Sequence, residues 1–220
     1  MSGPRYLAYY RWYATLLSVL FIGFIIAILL YGEPFRFWEF PYSGLGATKT
    51  VNGHVNSAAM VVFITDMICI GIILTIIAAV SGSDRKLPHR GIRTIFAGTG
   101  AFGAFVATFP HDIYPTQHIF GSAFLVGSLW VLAVFLIVDI SRSLSSNVAL
   151  RFHLLLHITV VSYAVAYVAN AVSKQFFQKF AVFGLSAVLL GASRMLWKSN
   201  GRAVPTPEVE SIDSIDSAPV

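Results

Sequence analysis

The sequence predicts an all-helical, polytopic integral membrane bundle of six transmembrane helices with both termini in the cytoplasm. Three observations carry that prediction. Hydrophobic residues make up 56% of the 220 residues and charged residues 11%, with a mean hydropathy of +0.74. A soluble domain carries about 25% charged residues, so this chain has too few to face water. Several apolar stretches approach or exceed the roughly 20 residues that cross a hydrocarbon core. Finally, Lys and Arg are unevenly placed. Arg5, Arg11, Arg85, Lys86, Arg90, Arg93, Arg142, Arg151, Arg194, Lys198 and Arg202 fall on one side of the predicted spans, and Arg36, Lys49, Lys174 and Lys179 on the other. The richer side of a membrane protein is the cytoplasmic one. The formal charge of +5 follows from that rule and does not point to nucleic acid. The single cysteine, Cys69, lies in an apolar stretch, which excludes a disulfide framework and a cysteine metal cluster.

Backbone polar groups in lipid must be satisfied within the segment, so each span is a helix. The first covers roughly residues 12–31. It is followed by YGEPFRFWEF rather than by small residues, so it reads as a span and not as a cleaved signal peptide. An outer loop at about 32–56 holds Ser43, Lys49, Asn52, His54 and Asn56. The second span, about 57–80, carries Asp66 roughly nine residues from its outer end, or about 14 Å deep. The third, about 94–110, contains Gly98, Gly100 and Gly103, small residues that let helices approach closely, and Pro110 and Pro115 are expected to end it. A polar turn, TFPHDIYPTQH (Thr108–His118), leads to the fourth span at about 118–140 with Gly121, Ser122, Gly127 and Ser128. The fifth, about 152–172, has His153 and His157 on one face at its inner end. The sixth covers about 176–197. Residues 1–198 form the predicted six-helix domain. Residues 199–220 form a predicted disordered, acidic cytoplasmic tail, rich in Pro and Ser with four acids. Most Trp and Tyr fall near the predicted interfaces, as belts do.

This topology gathers polar residues at the outer mouth and leaves Asp66 inside the bilayer, where a carboxylate is costly and marks a partner or a cavity. The preferred reading is a lipid-associated protein that meets a headgroup through Lys49, Asn52, Lys174 and Lys179. Membrane lipids are then its partners, and oligomerisation stays open. One alternative is a metal-dependent intramembrane hydrolase or transferase acting on a lipid. Ser43, Asp66, Asp112 and His118 would be its catalytic residues, and His54, Asp66, His111 and His118 would hold zinc and its activated water. Its Ser, Asp and HxxxH content is loosely similar to the ceramidase and adiponectin-receptor class. The other alternative is a haem-b electron carrier with His54 and His118 as axial ligands. His153 and His157, at i and i+4, can hold a metal or reach for Asp139, but they lie about 30 Å from the outer histidines and cannot share their ion. Asp112 is also placed to cap the fourth helix.

Three patterns carry a resemblance to a family: Ser43-Gly44-Leu45-Gly46 before the second helix, Gly103 with Phe109-Pro110-His111-Asp112 at the end of the third, and His118 followed by Gly121 at the start of the fourth. Together they resemble the small six-helix membrane proteins of the domain of unknown function number 998. More distantly, the chain is similar to the damage-regulated autophagy modulators and the GPI-anchor lipid-remodelling proteins. The resemblance covers about residues 12–197. It implies a six-helix fold and a lipid-facing role, with Ser43, Asp112 and His118 as the matched positions. Gly44 departs from the pattern, standing where the family often has an acid.

Overall fold

A computed structural model of the chain describes residues 3–201. Six helices follow one another: α1 (Gly3–Leu29), α2 (Ser57–Ser83), α3 (Arg90–Val106), α4 (Pro115–Ser143), α5 (Ser146–Val168) and α6 (Lys174–Gly201), with a 3-10 turn at Tyr42–Gly46. There is no strand among the described residues; one bridge pairs Lys49 with Val55. α1, α2, α4, α5 and α6 are long and apolar enough to cross a membrane, as an integral membrane protein requires. α3 has 17 residues, about 25 Å at 1.5 Å per residue, against a hydrocarbon core of about 30 Å.

The helix ends move from their expected places for local reasons. α1 begins well before residue 12 because Tyr6, Tyr9 and Tyr13 pack into the core and extend its apolar face past the hydrophobic run. α3 stops at Val106 rather than at Pro110. The Ala107 N–H still reaches the Gly103 carbonyl, while the Thr108 hydroxyl takes the Phe105 carbonyl at 2.6 Å. Pro115 does not end α3; it is the first residue of α4, where a missing N–H costs nothing. α5 ends at Val168; beyond its C-cap Ala169, Asn170 takes a left-handed φ of 48° and the Ala171 N–H closes onto the Ala166 carbonyl at 2.9 Å, a Schellman-type cap. α6 runs to Gly201, past the predicted boundary at 198; the rest of the predicted tail lies outside the described residues.

α3 lies between α2 and α4 and packs along both, while α1 packs on α2 and α6, and α5 on α4 and α6. The α3–α4 seam is the tightest. A Cβ on Gly103 would come 2.5 Å from the Leu125 nitrogen, and one on Gly121 would come 2.4 Å from the Ala107 nitrogen. The two backbones touch, so only glycine fits at either position. The bundle therefore has two polar ends. The loop before α2, the α3–α4 turn and the start of α6 meet at one. The start of α1, the end of α2, the start of α3 and the end of α4 meet at the other.

Candidate functional site

The first end, called outer after the predicted topology as the second is called inner, is built on the loop that joins α1 to α2. Its 3-10 turn contains Ser43-Gly44-Leu45-Gly46, with Leu45 fully buried. Asn56, at the start of α2, holds this turn. Its side-chain amide donates to the carbonyls of Leu45 at 3.1 Å and Ala47 at 2.9 Å. Gly46 is required there because a Cβ would strike the Phe63 ring at 2.4 Å. Tyr42 stacks on Phe24 of α1 at 4.3 Å and donates its backbone N–H to Gln178 Oε1 of α6 at 3.0 Å. Burial pushes the Tyr42 phenol up to about 12.

Asp112 fastens the next part of the loop. Its carboxylate accepts from the Thr48 N–H at 3.0 Å, the Thr48 hydroxyl and the Lys49 N–H at 3.3 Å. It does not cap α4, whose N-cap Tyr114 has no side-chain cap. Desolvation pushes the Asp112 carboxyl up, but the hydrogen bonds from Thr48 and Lys49 outweigh it and leave the carboxyl below the ordinary carboxylate range. Beyond Thr48 the chain forms a small hairpin, where Thr50 N–H donates to the His54 carbonyl at 2.8 Å and Gly53 turns at φ 87°. Glu33, just after α1, grips the hairpin tip through the Asn52 side-chain amide and backbone N–H. Desolvation raises the Glu33 carboxyl, but hydrogen bonds from Asn52 and Thr50, with His54 nearby, together outweigh it and leave the carboxyl below its ordinary range. The hairpin leaves Lys49 and His54 exposed.

The other predicted residues fall into separate surroundings. His118, 2% exposed, donates from Nδ1 to the Phe109 carbonyl at 2.9 Å, tying α4 to the frayed end of α3. Its ring lies 6.1 Å from Phe63 and 5.5 Å from His111. Ser43 is half-buried within the 3-10 turn. Asp66 turns toward α1, with its carboxyl packed over Gly23. Asp112 and His118 are thus neighbours along one turn with different tasks, and Asp66 belongs to another seam. Among the described residues, no three His, Cys, Asp or Glu side chains come together as a metal-holding group. His54 is exposed while His118 is buried, which is a poor start for two axial ligands at one depth.

The lysines also separate. Lys179 is fully buried; its ammonium donates to the Phe40 carbonyl and lies 5.0 Å from the Tyr42 ring centre and 5.8 Å from that of Phe37. It serves as an internal strut between α6 and the loop, with no reach to a headgroup. Lys174 donates to Asn170 at 2.6 Å, closing the α5–α6 turn. Asn52 is taken by Glu33. Of the four predicted headgroup residues, Lys49 and Asn52 are exposed, Asn52 while bonded to Glu33.

The inner end holds what sequence reasoning missed. Arg93 of α3 pairs with Asp139 of α4 at 2.8 Å, with side chains 3% and 2% exposed. Arg93 also donates to the Phe135 carbonyl at 3.0 Å. The Tyr6 hydroxyl reaches Asp139 at 3.5 Å, and the Tyr9 hydroxyl reaches Ser81 at 3.2 Å. The expected link from His153 or His157 to Asp139 is replaced by this pair. The two histidines instead stack on each other at 5.5 Å, and His157 meets Trp130 edge-on at 5.7 Å. An Arg three residues into a helix that must lie in a bundle was the available signal. Comparison of the chain with protein-family models, with curated proteins and with solved structures returns no match.

Proposed function

We propose that the chain is a six-span membrane protein, with both termini in the cytoplasm, that engages anionic lipid headgroups at its outer end through the 49–55 hairpin. The observation that carries this reading is the hairpin itself. Lys49 and His54 stand exposed beside Val51 and Val55, which are 59% and 74% exposed, and the hairpin backbone is held down by Asp112 and Glu33. A cation beside exposed apolar side chains, on a rigid support at the end of a bundle, suits the boundary between headgroups and acyl chains. The sixth span is supported by α3, which runs between α2 and α4 from the Arg93–Asp139 end to the Asp112–Thr48 end. With α3 crossing, the chain returns to the side where it began, the side that collects eleven of the fifteen Lys and Arg residues. The resemblance to the six-helix family of domain 998 enters this proposal through the same elements, Ser43-Gly44-Leu45-Gly46, Asp112 and His118, which here shape and fasten the hairpin's base.

The test is lipid identification. Wild-type protein and a Lys49→Ala, His54→Ala double variant are purified in mild detergent, and co-purifying lipids are measured by mass spectrometry against the host membrane. Enrichment of anionic phospholipid with the wild type, reduced several-fold in the variant, is expected. Lipid ratios equal to the host membrane for both proteins would overturn the proposal.

A further inference from the structure

Asp66 stands apart from both polar ends. It lies nine residues after Ser57, the first residue of α2, about 14 Å along the helix axis, and is 5% exposed. Its carboxyl group sits where the side chain of residue 23 would be. A Cβ on Gly23 would come 2.4 Å from Cγ and 2.5 and 2.7 Å from the two carboxyl oxygens. Gly23 is therefore the seat that receives the acid. Oδ2 is buried and has no hydrogen-bond partner.

Among the described residues, no cation pairs with it from the elements packed on α2, and His118 of α4, whose ring lies 6.1 Å from that of Phe63, is committed to the Phe109 carbonyl. On α1, the titratable groups Tyr6, Tyr9, Tyr10, Arg11 and Tyr13 lie ten or more residues before Gly23, at least about 15 Å along the axis. On α3, Arg93 is committed to Asp139 and Phe135, and Arg90 is exposed at the inner end. On the 3-10 turn, the Tyr42 ring stacks on Phe24, and Lys179 of α6, beside that ring, is committed to the Phe40 carbonyl. On α2 itself, Cys69 is three residues on and Phe63 and Met67 are buried neighbours.

An ionised carboxylate in such surroundings has neither cation nor donor to replace its lost hydration, and a buried acid in that position takes a proton instead. We propose that Asp66 is a proton-binding site at the α1–α2 seam, carried as the neutral carboxylic acid and able to release its proton only when the seam parts at Gly23 and admits water or a cation. Its ligand is the proton, and the glycine seat is the gate. The inference rests on α2 crossing the bilayer and is independent of the headgroup reading: lipid ratios equal to the host membrane, which would overturn that reading, leave it standing.

Infrared difference spectroscopy of the full chain in lipid vesicles tests it. Wild type minus Asp66→Asn, at neutral pH, is expected to show a carboxylic-acid carbonyl band that shifts in heavy water. A difference confined to the ionised-carboxylate bands would overturn the proposal. If Asp66→Asn does not fold, the wild type alone is treated with an apolar carbodiimide, which adds an acid O–H across its C=N bond. Modification of the Asp66 peptide at neutral pH, falling several-fold at alkaline pH, is expected. Modification that does not change between the two, or none, would overturn it.

Discussion

At the outer end Asp112 meets Thr48 and Lys49 in the open, accepting backbone and hydroxyl donors on an exposed turn. At the inner end Asp139 meets Arg93 with both side chains almost sealed from solvent. Each aspartate ties two distant parts of the chain, and each looks like a simple polar link on paper. Their surroundings make them different objects. Water can replace what the Asp112 link supplies, so it orders a loop at modest energetic cost. Nothing can replace what Asp139 supplies to Arg93. A buried charge left without its partner is among the costlier defects a fold can carry.

The sharpest way to test that contrast is to remove one inner partner. Asp139→Leu leaves the Arg93 charge buried and unpaired, and is expected to cost about 3–5 kcal/mol, read as a large fall in the thermal unfolding midpoint in detergent. Arg93→Leu combined with Asp139→Leu is expected to recover most of that loss. A double variant as unstable as the single one would show that the pair does more than neutralise itself. Next in size is the helix seam that both ends share. Gly121→Ala puts a Cβ 2.4 Å from the Ala107 nitrogen and must push α4 from α3, at about 1–3 kcal/mol by the same melting measurement. Asn56→Ala strips the donor from the Leu45 and Ala47 carbonyls, costing about 1–3 kcal/mol for buried groups left unpaired. Its signature is local: faster proteolysis between residues 42 and 56 with α1 and α2 intact.

The smallest effect belongs to the exposed link. Asp112→Ala is expected to cost about 1 kcal/mol, seen as faster amide exchange at Thr48 and Lys49 rather than as a shifted melting midpoint. Acid should mimic it. The folded-state carboxyls of Asp112 and Glu33 lie below their ordinary values, so their stabilisation is fully present above the unfolded pKa of about 4 and is lost as pH falls through the depressed values. Amide exchange at 48–52 that stays constant from neutral pH down through that window, after correction for intrinsic rates, would show that the carboxylates do not hold the hairpin.

The helices were legible because composition and the length of apolar runs speak directly about lipid. The class and order of the six helices followed from them, and so did the meeting of the polar loops before α2 and between α3 and α4. The ends were not legible where aromatic packing outran hydropathy, as with Tyr6, Tyr9 and Tyr13 in α1. Among the site residues, position along the chain gave depth but not direction. Lys179 lies beside the loop before α2, yet points inward to Phe40. Asp66 lies nine residues into α2, yet turns to Gly23. A helical residue's facing depends on which helices become neighbours, and that information lies in pairings such as Gly103 with Gly121 that no single segment displays. Arg93 was counted as one more cytoplasmic charge, whereas its partner lies 46 residues further on.

That 46-residue separation matters while the chain is being made. Until Asp139 has emerged from the ribosome, α3 offers a membrane an unneutralised guanidinium on a helix already short for the purpose. If α3 is the proposed sixth span, its stable entry waits on α4, and the two integrate as a hairpin whose halves are matched in charge and, at Gly103 and Gly121, in shape. Released chains truncated before residue 115 should leave α3 open to protease, whereas released chains extended through Ser143 should protect it.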